Sequence, residues 1–193
     1  MNEEHLKLCS SAEWAEAVQK WIIPWALEGV ELGDDVLEVG PGPGLTTDVL
    51  RGLFDRLTAV EIDRALADSL ANRLAGTNVE VICADATQMP LPSDRFSGAV
   101  CLSMLHHVPS PELQNALLAE VRRVLRPGAT FAGEDSLASP ELRALHDKDT
   151  YVPIDPDHFA ARLDAAGFTS VEVSTNEYAV RFRARTPGSA NSA

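Results

Sequence analysis

The chemistry of this 193-residue chain centres on a glycine-rich run, Gly40-Pro41-Gly42-Pro43-Gly44. Glycine allows a positive φ and leaves no Cβ in the way of a ligand, and proline stiffens the loop between the glycines. An apolar run precedes the loop and a helical pattern begins at Leu45, so the free N–H groups of a helix N-terminus should face the ligand. The residues predict a strand, a tight turn and a helix that cradle a small polar ligand.

Two acidic residues follow later strand-like runs and suit the two ends of an adenosine. Glu61 has the separation from the glycine run that is typical of the acid binding a ribose diol, because one carboxylate accepts two hydroxyl hydrogen bonds. Asp85 could accept a hydrogen bond from the exocyclic amine of adenine. The alternatives are a strand-end charge for Glu61 and a helix N-cap for Asp85.

Two adjacent histidines, His106 and His107, follow a fourth apolar run that leads into Ser103. A neutral histidine is a competent base for a hydroxyl group, or it can orient a carboxylate. The alternative is a structural cap on the next helix. We expect only one of the two adjacent side chains to face a pocket.

A loop-rich segment at 134–158 holds further polar candidates. Asp135, His146 and Tyr151 are predicted substrate contacts, against the alternative of an exposed loop. A metal set of His146, Asp147 and His158 is a minor alternative, and the prediction is that no metal is bound.

Apolar runs that alternate with helical patterns should position these residues. Strands are predicted at 36–40, 57–62, 79–83, 96–102 and 129–133, and a closing antiparallel hairpin at 169–174 and 178–185. Most of the strands are too apolar to have one wet face, which indicates a parallel sheet with helices on both sides. Such sheets bind ligands at the carboxyl ends of their strands.

The N-terminal residues 1–32 are predicted to form a helical extension of the domain at 33–185, with a disordered tail at 186–193. Apolar residues recur there at three- and four-residue steps, and they include Trp14, Val18, Trp21, Ile22 and Trp25. Pro24 should break or kink the helix. The stripe either packs on the core or covers an apolar pocket, in which case Trp14 and Trp21 would contact the substrate.

The composition excludes several partners. A net charge of −13 and a pI near 4.7 disfavour nucleic acid and anionic membranes. Three widely spaced cysteines indicate free thiols in a reducing cytoplasm. No apolar run approaches the length of a membrane span. We expect a cytoplasmic protein, monomeric or homodimeric, that acts on a small molecule.

Taken in order, these features resemble the class I S-adenosylmethionine-dependent methyltransferases, especially the small type 11-like enzymes. Residues 37–44 resemble motif I, 60–63 the acidic ribose-binding position, and 83–86 the adenine-binding motif. Residues 125–128 resemble the turn before strand five. The resemblance covers 33–185 and implies a three-layer, Rossmann-like α/β fold whose seven strands have the order 3-2-1-4-5-7-6, with strand 7 antiparallel.

The resemblance also implies the cofactor, S-adenosylmethionine, and the residues that bind it. They are Glu38, Gly40, Pro41, Gly42, Gly44, Thr46, Glu61, Ile62, Asp85, Ala86 and Ser103. Glu38 would orient the glycine loop, Glu61 would hold the ribose, and Ile62 would lie against adenine. Metal-dependent members of the family carry an acid just after strand four, where this chain has Ser103-Met104-Leu105.

The expected reaction is metal-independent methyl transfer to an oxygen, hydroxyl or carboxylate, of a partly lipophilic metabolite. The transfer would be an in-line displacement assisted by His106 or His107. The alternatives are a cofactor-binding module without transfer activity, or a nicotinamide-dependent oxidoreductase. The glycine spacing and the closing hairpin disfavour the oxidoreductase.

Overall fold

Seven strands form one mixed sheet in this computed structural model, which describes residues 2–189. The strands are β1 Asp35–Val39, β2 Arg56–Glu61, β3 Val79–Cys83, β4 Phe96–Leu102, β5 Leu125–Ser136, β6 Thr169–Thr175 and β7 Ala179–Arg185. Their order is β3-β2-β1-β4-β5-β7-β6. β7 runs antiparallel to both of its neighbours, and the other pairs are parallel. The predicted strand order and closing hairpin are confirmed.

Helices connect the strands and precede the first one. They are α1 Glu3–Cys9, α2 Ala12–Ala17, α3 Ile23–Ala26, α4 Leu45–Leu50, α5 Arg64–Arg73, α6 Pro111–Val124, α7 Pro140–Leu145 and α8 Pro156–Ala165. A π-helical turn spans Val18–Ile22, and a 3₁₀ turn spans Leu105–His107. Within residues 2–189, no helix has both the length and the apolar composition needed to cross a membrane.

The centre of the sheet is covered on both faces, which explains its apolar strands. All five residues of β1 are buried. Leu37 packs in a cluster with side chains of α6 and α8. Val36 packs in a second cluster with side chains of the N-terminal helices and α4. Neighbouring residues of a strand point to opposite faces, so these two clusters are the layers on either side of the sheet.

The N-terminal helix is not broken at Pro24, because α2, the π-helical turn and α3 follow one another without interruption; the stripe of apolar residues, however, is not continuous. Pro24 lies in the first turn of α3, where its missing N–H costs little. The preceding π-helical turn contains more residues per turn than an α-helix, which changes the side chains that face the core. Val18 and Ile23 are buried, whereas Trp21 is 71% exposed.

β5 is longer than predicted at both ends. It begins at Leu125, so residues 125–128 belong to the strand and not to a preceding turn. At its other end the strand continues to Ser136, because Glu134 and Asp135 pair with Arg181 and Val180 of β7. Both acidic residues are therefore buried in the sheet and do not lie in a loop.

The chain after β7 contacts the beginning of β5. The Thr186 hydroxyl donates a hydrogen bond to the Arg126 carbonyl at 2.5 Å, and the Gly128 N–H donates one to the Pro187 carbonyl at 3.1 Å. Thr186 is buried. These two residues of the predicted tail thus pack on the sheet, and residues 190–193 of that tail lie outside the described residues.

Candidate active site

A cavity of about 480 Å³ lies at the carboxyl ends of the central strands, where parallel sheets bind ligands. One part of its wall is the glycine turn after β1 together with the segments that follow β2, β3 and β4. We call this part the donor region. The other part contains side chains of α1, α2, the 3₁₀ turn, α7 and the loop that follows α7, and we call it the acceptor region. The volume is typical of sites for cofactors and small substrates.

The glycine turn allows close packing at the end of β1. Gly40 and Gly42 have φ values of +68° and +55°, which favour glycine. A Cβ on Gly40 would also overlap the Met104 side chain. The turn can therefore approach the segment after β4 as closely as it does only with glycine at position 40.

Glu38 holds the turn from below and does not line the cavity. Its carboxylate accepts hydrogen bonds from the hydroxyls of Thr46 and Thr47, the second at 2.7 Å. Burial raises the pKa of Glu38 to about 7, although the two hydroxyl bonds oppose the shift. Glu38 thus joins β1 to the first turn of α4, and Thr46 itself lines the cavity.

Glu61 joins two segments of the donor region, the glycine turn and the turn after β2, by accepting two backbone hydrogen bonds. Its Oε2 accepts from the Gly42 N–H and its Oε1 from the Asp63 N–H, both at 2.9 Å. An ionised carboxylate offers about four lone-pair sites, so each oxygen can still accept one bond from a bound hydroxyl. The side chain is therefore held in place before any diol binds.

The segments after β2 and β3 provide an apolar face and a polar edge. Ile62 lines the cavity although its side chain is 68% exposed, which leaves an apolar surface for a flat ring. Asp85 accepts two bonds from Thr87, one from the N–H and one from the hydroxyl, both at 2.8 Å. In the described chain no helix lies between Asp85 and β4, so Asp85 stabilises a turn and is not a helix N-cap, and it lines the cavity beside Ala86.

Ser103 joins β4 to β5 at the cavity wall. Its φ of +49° is uncommon for a residue with a side chain. The hydroxyl donates to Glu134 Oε1 at 2.5 Å, and the N–H donates to the Glu134 carbonyl at 3.0 Å. Burial raises the pKa of Glu134 to about 7. These two bonds hold the uncommon backbone conformation in place.

His106 and Asp135 form a buried pair. The ring Nδ1 lies 2.5 Å from Asp135 Oδ1, and the His106 N–H donates to Oδ2 at 3.1 Å. Burial lowers the pKa of His106, but the charge and hydrogen bond of Asp135 more than offset this, so the pKa is raised above 6.5. Since the carboxylate engages Nδ1, Nε2 is the nitrogen available to a molecule in the cavity.

Three further histidines surround this pair: His5, His107 and His146. Their ring centroids lie 4.4 to 5.1 Å from one another. Burial, followed by the charges of neighbouring histidines, lowers the pKa of His5 to about 4 and that of His107 to about 2. Burial also lowers the pKa of His146. These three rings are thus neutral at pH 7.

Both His106 and His107 line the cavity, so the expectation that only one would do so is wrong. Trp14 and His146 line it too. Trp21 does not, because it points to solvent from the π-helical turn. The predicted substrate contacts Asp135 and Tyr151 are also absent from the wall.

Those two residues instead support the histidines. Asp135 is fully buried behind His106. The Tyr151 ring stacks on His146 with centroids 4.6 Å apart. The predicted alternative metal set also fails, because His158 is exposed on α8 and pairs with Asp155 at 2.7 Å.

The sequence reasoning missed α1 and its contribution to the cavity. His5, Leu8 and Cys9 all line the wall, and their spacing of three and four residues is the helical signal that could have identified them. Asn2 caps α1 by accepting from the His5 N–H at 2.8 Å. Asn2 followed by Glu3 and Glu4 was a recognisable helix start, because asparagine is a preferred N-cap and acidic residues favour the first turn.

The glycine turn, the preorganised Glu61 and the edge beside Asp85 define an α/β protein whose cavity suits an adenosine-containing cofactor. The chain belongs to the methyltransferase domain family, whose model matches residues 37–133. This confirms the resemblance to the class I S-adenosylmethionine-dependent methyltransferases, and with it the expected cofactor.

Curated relatives differ in what they methylate. The chain is 34% identical over 124 residues to a protein-L-isoaspartate O-methyltransferase of Nitrobacter winogradskyi, which covers 62% of this chain and 56% of that protein. It is 38% identical over 78 residues to a probable ribosomal RNA small subunit methyltransferase A of Pyrococcus abyssi, covering 39% and 29% respectively. The chain thus spans about half or less of the length of these relatives.

Solved structures show the same fold along almost the whole chain. A SAM-dependent methyltransferase from Aquifex aeolicus superposes with a TM-score of 0.72 at 18% identity. The match covers 96% of this chain and 98% of that one.

Proposed function

We propose that the protein transfers a methyl group from S-adenosylmethionine to an oxygen atom of a small, partly lipophilic molecule. The observation that carries this proposal is His106, which lines the same cavity as the glycine turn and is hydrogen-bonded to Asp135 buried behind it. An imidazole oriented by a buried carboxylate is suited to take a proton from a hydroxyl group.

The donor region fits the cofactor. Glu61 can accept both ribose hydroxyls, since each of its oxygens has one backbone bond and further capacity. Ile62 offers an apolar face to adenine, and Asp85 and Ala86 lie at its edge. Gly40, Gly42 and Ser103 would border the methionine part. When bound, S-adenosylmethionine supplies a methyl group on a sulfonium leaving group.

His106 would act as the base. Asp135 holds Nδ1 at 2.5 Å, so the lone pair of Nε2 is directed away from the carboxylate and can take the acceptor's proton. Asp135 would stabilise the resulting imidazolium. The wall around His106 would exclude water and align the acceptor, and alignment alone can supply several kcal/mol.

The lining of the acceptor region favours a lipophilic acceptor. Apolar side chains dominate it, and they include Leu8, Trp14, Leu142 and Leu145. A net charge of −13 opposes a polyanionic acceptor such as nucleic acid. Phenols and carboxylic acids with an apolar body combine the two features that this wall selects.

The test is a methyl-transfer screen with the purified chain. Binding of S-adenosylmethionine and of its demethylated product should first raise the melting temperature, by ligand linkage. Radiolabelled cofactor should then label phenols or carboxylic acids, in preference to amines, RNA and proteins. Labelling of amines in preference to oxygen would overturn the acceptor atom, and labelling of RNA alone would overturn the acceptor class.

A further inference from the structure

We propose that His5, His107 and His146 bind one divalent transition-metal ion, of the zinc class, in the acceptor region. Each residue offers one ring nitrogen, and the three nitrogens lie within 4.8 Å of one another. Tetrahedral coordination at Zn–N distances of about 2.0–2.1 Å would bring them to roughly 3.3 Å apart. Small side-chain movements therefore suffice to complete the site.

Two of the nitrogens are buried without hydrogen-bond partners among the described residues. They are His5 Nδ1 and His146 Nε2. Buried polar atoms in folded proteins nearly always have a partner. A metal ion placed between the rings would give both atoms one at the same time.

The bonds around His146 fix the ring in the form that a metal requires. Its Nδ1–H donates to the Leu142 carbonyl at 2.6 Å, which leaves the lone pair on Nε2. Metal-ligating histidines usually donate their second ring N–H in this way. The Tyr151 ring stacked on His146 further restricts its rotation.

Contacts other than those around His146 hold His5 in place. The Asn2 side chain accepts from the His5 N–H and donates to the Leu145 carbonyl at 2.8 Å. Asn2 thus caps α1 and attaches this helix to α7. The same α7 contains Leu142, whose carbonyl accepts the hydrogen bond from His146. The two helices bring His5 and His146 within a ring-centroid distance of 4.4 Å.

The ligand set indicates the type of ion. Neutral imidazoles suit Zn²⁺, Co²⁺, Ni²⁺ and Cu²⁺, whereas Mg²⁺ and Ca²⁺ prefer oxygen ligands. Three protein ligands leave a fourth position open, as in catalytic zinc sites. The three histidines line the cavity, so that position would accept a ligand oxygen. Only the binding of a ligand oxygen at this fourth position rests on the proposed function.

This proposal revises the prediction that no metal is bound. That prediction rested on the missing acid after strand four and considered one histidine set, His146, Asp147 and His158, of which the structure places His158 elsewhere. His5 lies about 100 residues or more from the other two ligands in the sequence, so no local spacing identified the set.

The experiment measures metal binding by the full chain, purified without a histidine tag and treated with a chelator. Equilibrium dialysis against Zn²⁺ should give one tightly bound ion per chain. Co²⁺ should produce visible ligand-field bands of a tetrahedral site. His5→Ala and His146→Ala should each weaken Zn²⁺ binding at least 100-fold, while His158→Ala should bind like the wild type.

The outcomes separate this site from the proposed function. No tight Zn²⁺ binding and no Co²⁺ bands in the wild type would overturn the site whatever the methyl-transfer result, and so would Zn²⁺ binding by the His5→Ala and His146→Ala variants that is as tight as that of the wild type. Binding of S-adenosylmethionine by each variant reports whether it is folded. If the variants do not fold, the Co²⁺ spectrum of the wild type still shows whether the chain has a tetrahedral metal site. Equal affinity for Mg²⁺ would also contradict a histidine site.

Discussion

The donor and acceptor regions of the cavity are built in different ways. The donor region consists of turns that directly follow parallel strands, and its central contacts use backbone groups such as the Gly42 N–H. The acceptor region consists of side chains from α1, α2, the 3₁₀ turn, α7 and the loop that follows α7, with Asp135 of β5 buried behind His106. A site made of backbone turns leaves a local sequence signature, whereas a site made of converging side chains does not.

The two regions also differ in their electrostatics. Carboxylates dominate the donor region, where Glu61 accepts backbone bonds at the surface of the cavity and Glu38 is buried beneath it. The acceptor region contains four histidines, and the ring of one of them, His106, is hydrogen-bonded to the Asp135 carboxylate. The donor region thus suits hydroxyl and ammonium groups, and the acceptor region suits a proton transfer.

The largest expected effect is the loss of activity in the acceptor region. His106→Asn should lower kcat by about 10²–10⁴-fold, the usual contribution of a general base. The affinity for S-adenosylmethionine should stay within about threefold of the wild type, because the donor region is intact. Steady-state kinetics and calorimetric titration measure the two quantities.

Two variants serve as references for His106→Asn. Asp135→Asn keeps the base but changes the partner of Nδ1, so it should lower kcat and shift the pH profile of the reaction. His158→Ala, at an exposed position of α8, should leave kcat unchanged. A His106→Asn enzyme that retains wild-type kcat would refute the assignment of the base.

The next effect concerns the donor region. Glu61→Ala should weaken S-adenosylmethionine binding by about 100-fold or more, because hydrogen bonds to a charged group contribute about 1.5–3 kcal/mol each. The loss also leaves the Gly42 N–H without its present partner. Calorimetric titration checks the affinity, and kcat at saturating cofactor should change much less.

Glu31→Ala removes an exposed carboxylate outside the cavity and is the control for Glu61→Ala. It should bind S-adenosylmethionine like the wild type, since it changes the net charge by the same amount. Equal affinity of Glu61→Ala and the wild type would contradict the assignment of Glu61 to the ribose.

The fold was predictable from the sequence because each strand carries its own signal. The apolar runs, the glycine turn and the closing hairpin predicted a largely parallel sheet that ends in an antiparallel hairpin, and the family resemblance implied the strand order that the structure shows. The strand-end residues Glu61 and Asp85 were found for the same reason. The length of β5 was not predicted, because pairing with β7 extends the strand through Glu134 and Asp135.

The acceptor region was predictable only in part. His106, His107 and His146 were identified by residue type, but the partner of each depends on tertiary contacts. Asp135 was assigned to the substrate, and only the folded strand shows that it binds His106. His5 was not considered, because its role arises from the packing of α1 on α7.

A smaller effect concerns the pH dependence of stability and tests Glu38, the carboxyl group that is buried beneath the donor region. The pKa of Glu38 rises from 4.5 to about 7 in the folded protein because of burial. The folded state therefore binds the Glu38 proton more tightly than the unfolded state does. The resulting contribution to the free energy of unfolding is fully present below pH 4.5 and is lost as the pH rises through about 7. The difference of about 2.5 units corresponds to roughly 3 kcal/mol.

Glu38→Gln should remove this loss. Its free energy of unfolding, measured by denaturant titration, should fall less than that of the wild type between about pH 5 and about pH 8. Glu13→Gln, at an exposed position of α2, should follow the wild-type curve. Parallel curves for Glu38→Gln and the wild type would show that the buried carboxylate is not the source.

The smallest expected effect distinguishes two tryptophans of the N-terminal helices. Trp14 lines the acceptor region, whereas Trp21 is 71% exposed and does not. Trp14→Ala should raise the KM for a lipophilic acceptor about fivefold, since losing one apolar contact costs about 1 kcal/mol. Trp21→Ala should leave that KM unchanged. Trp14 also packs partly on the core, so KM should be measured well below the melting temperature of both variants. A KM of Trp14→Ala equal to that of the wild type would place the acceptor away from α2. The acceptor region would then be formed by the histidines and α7 without α2.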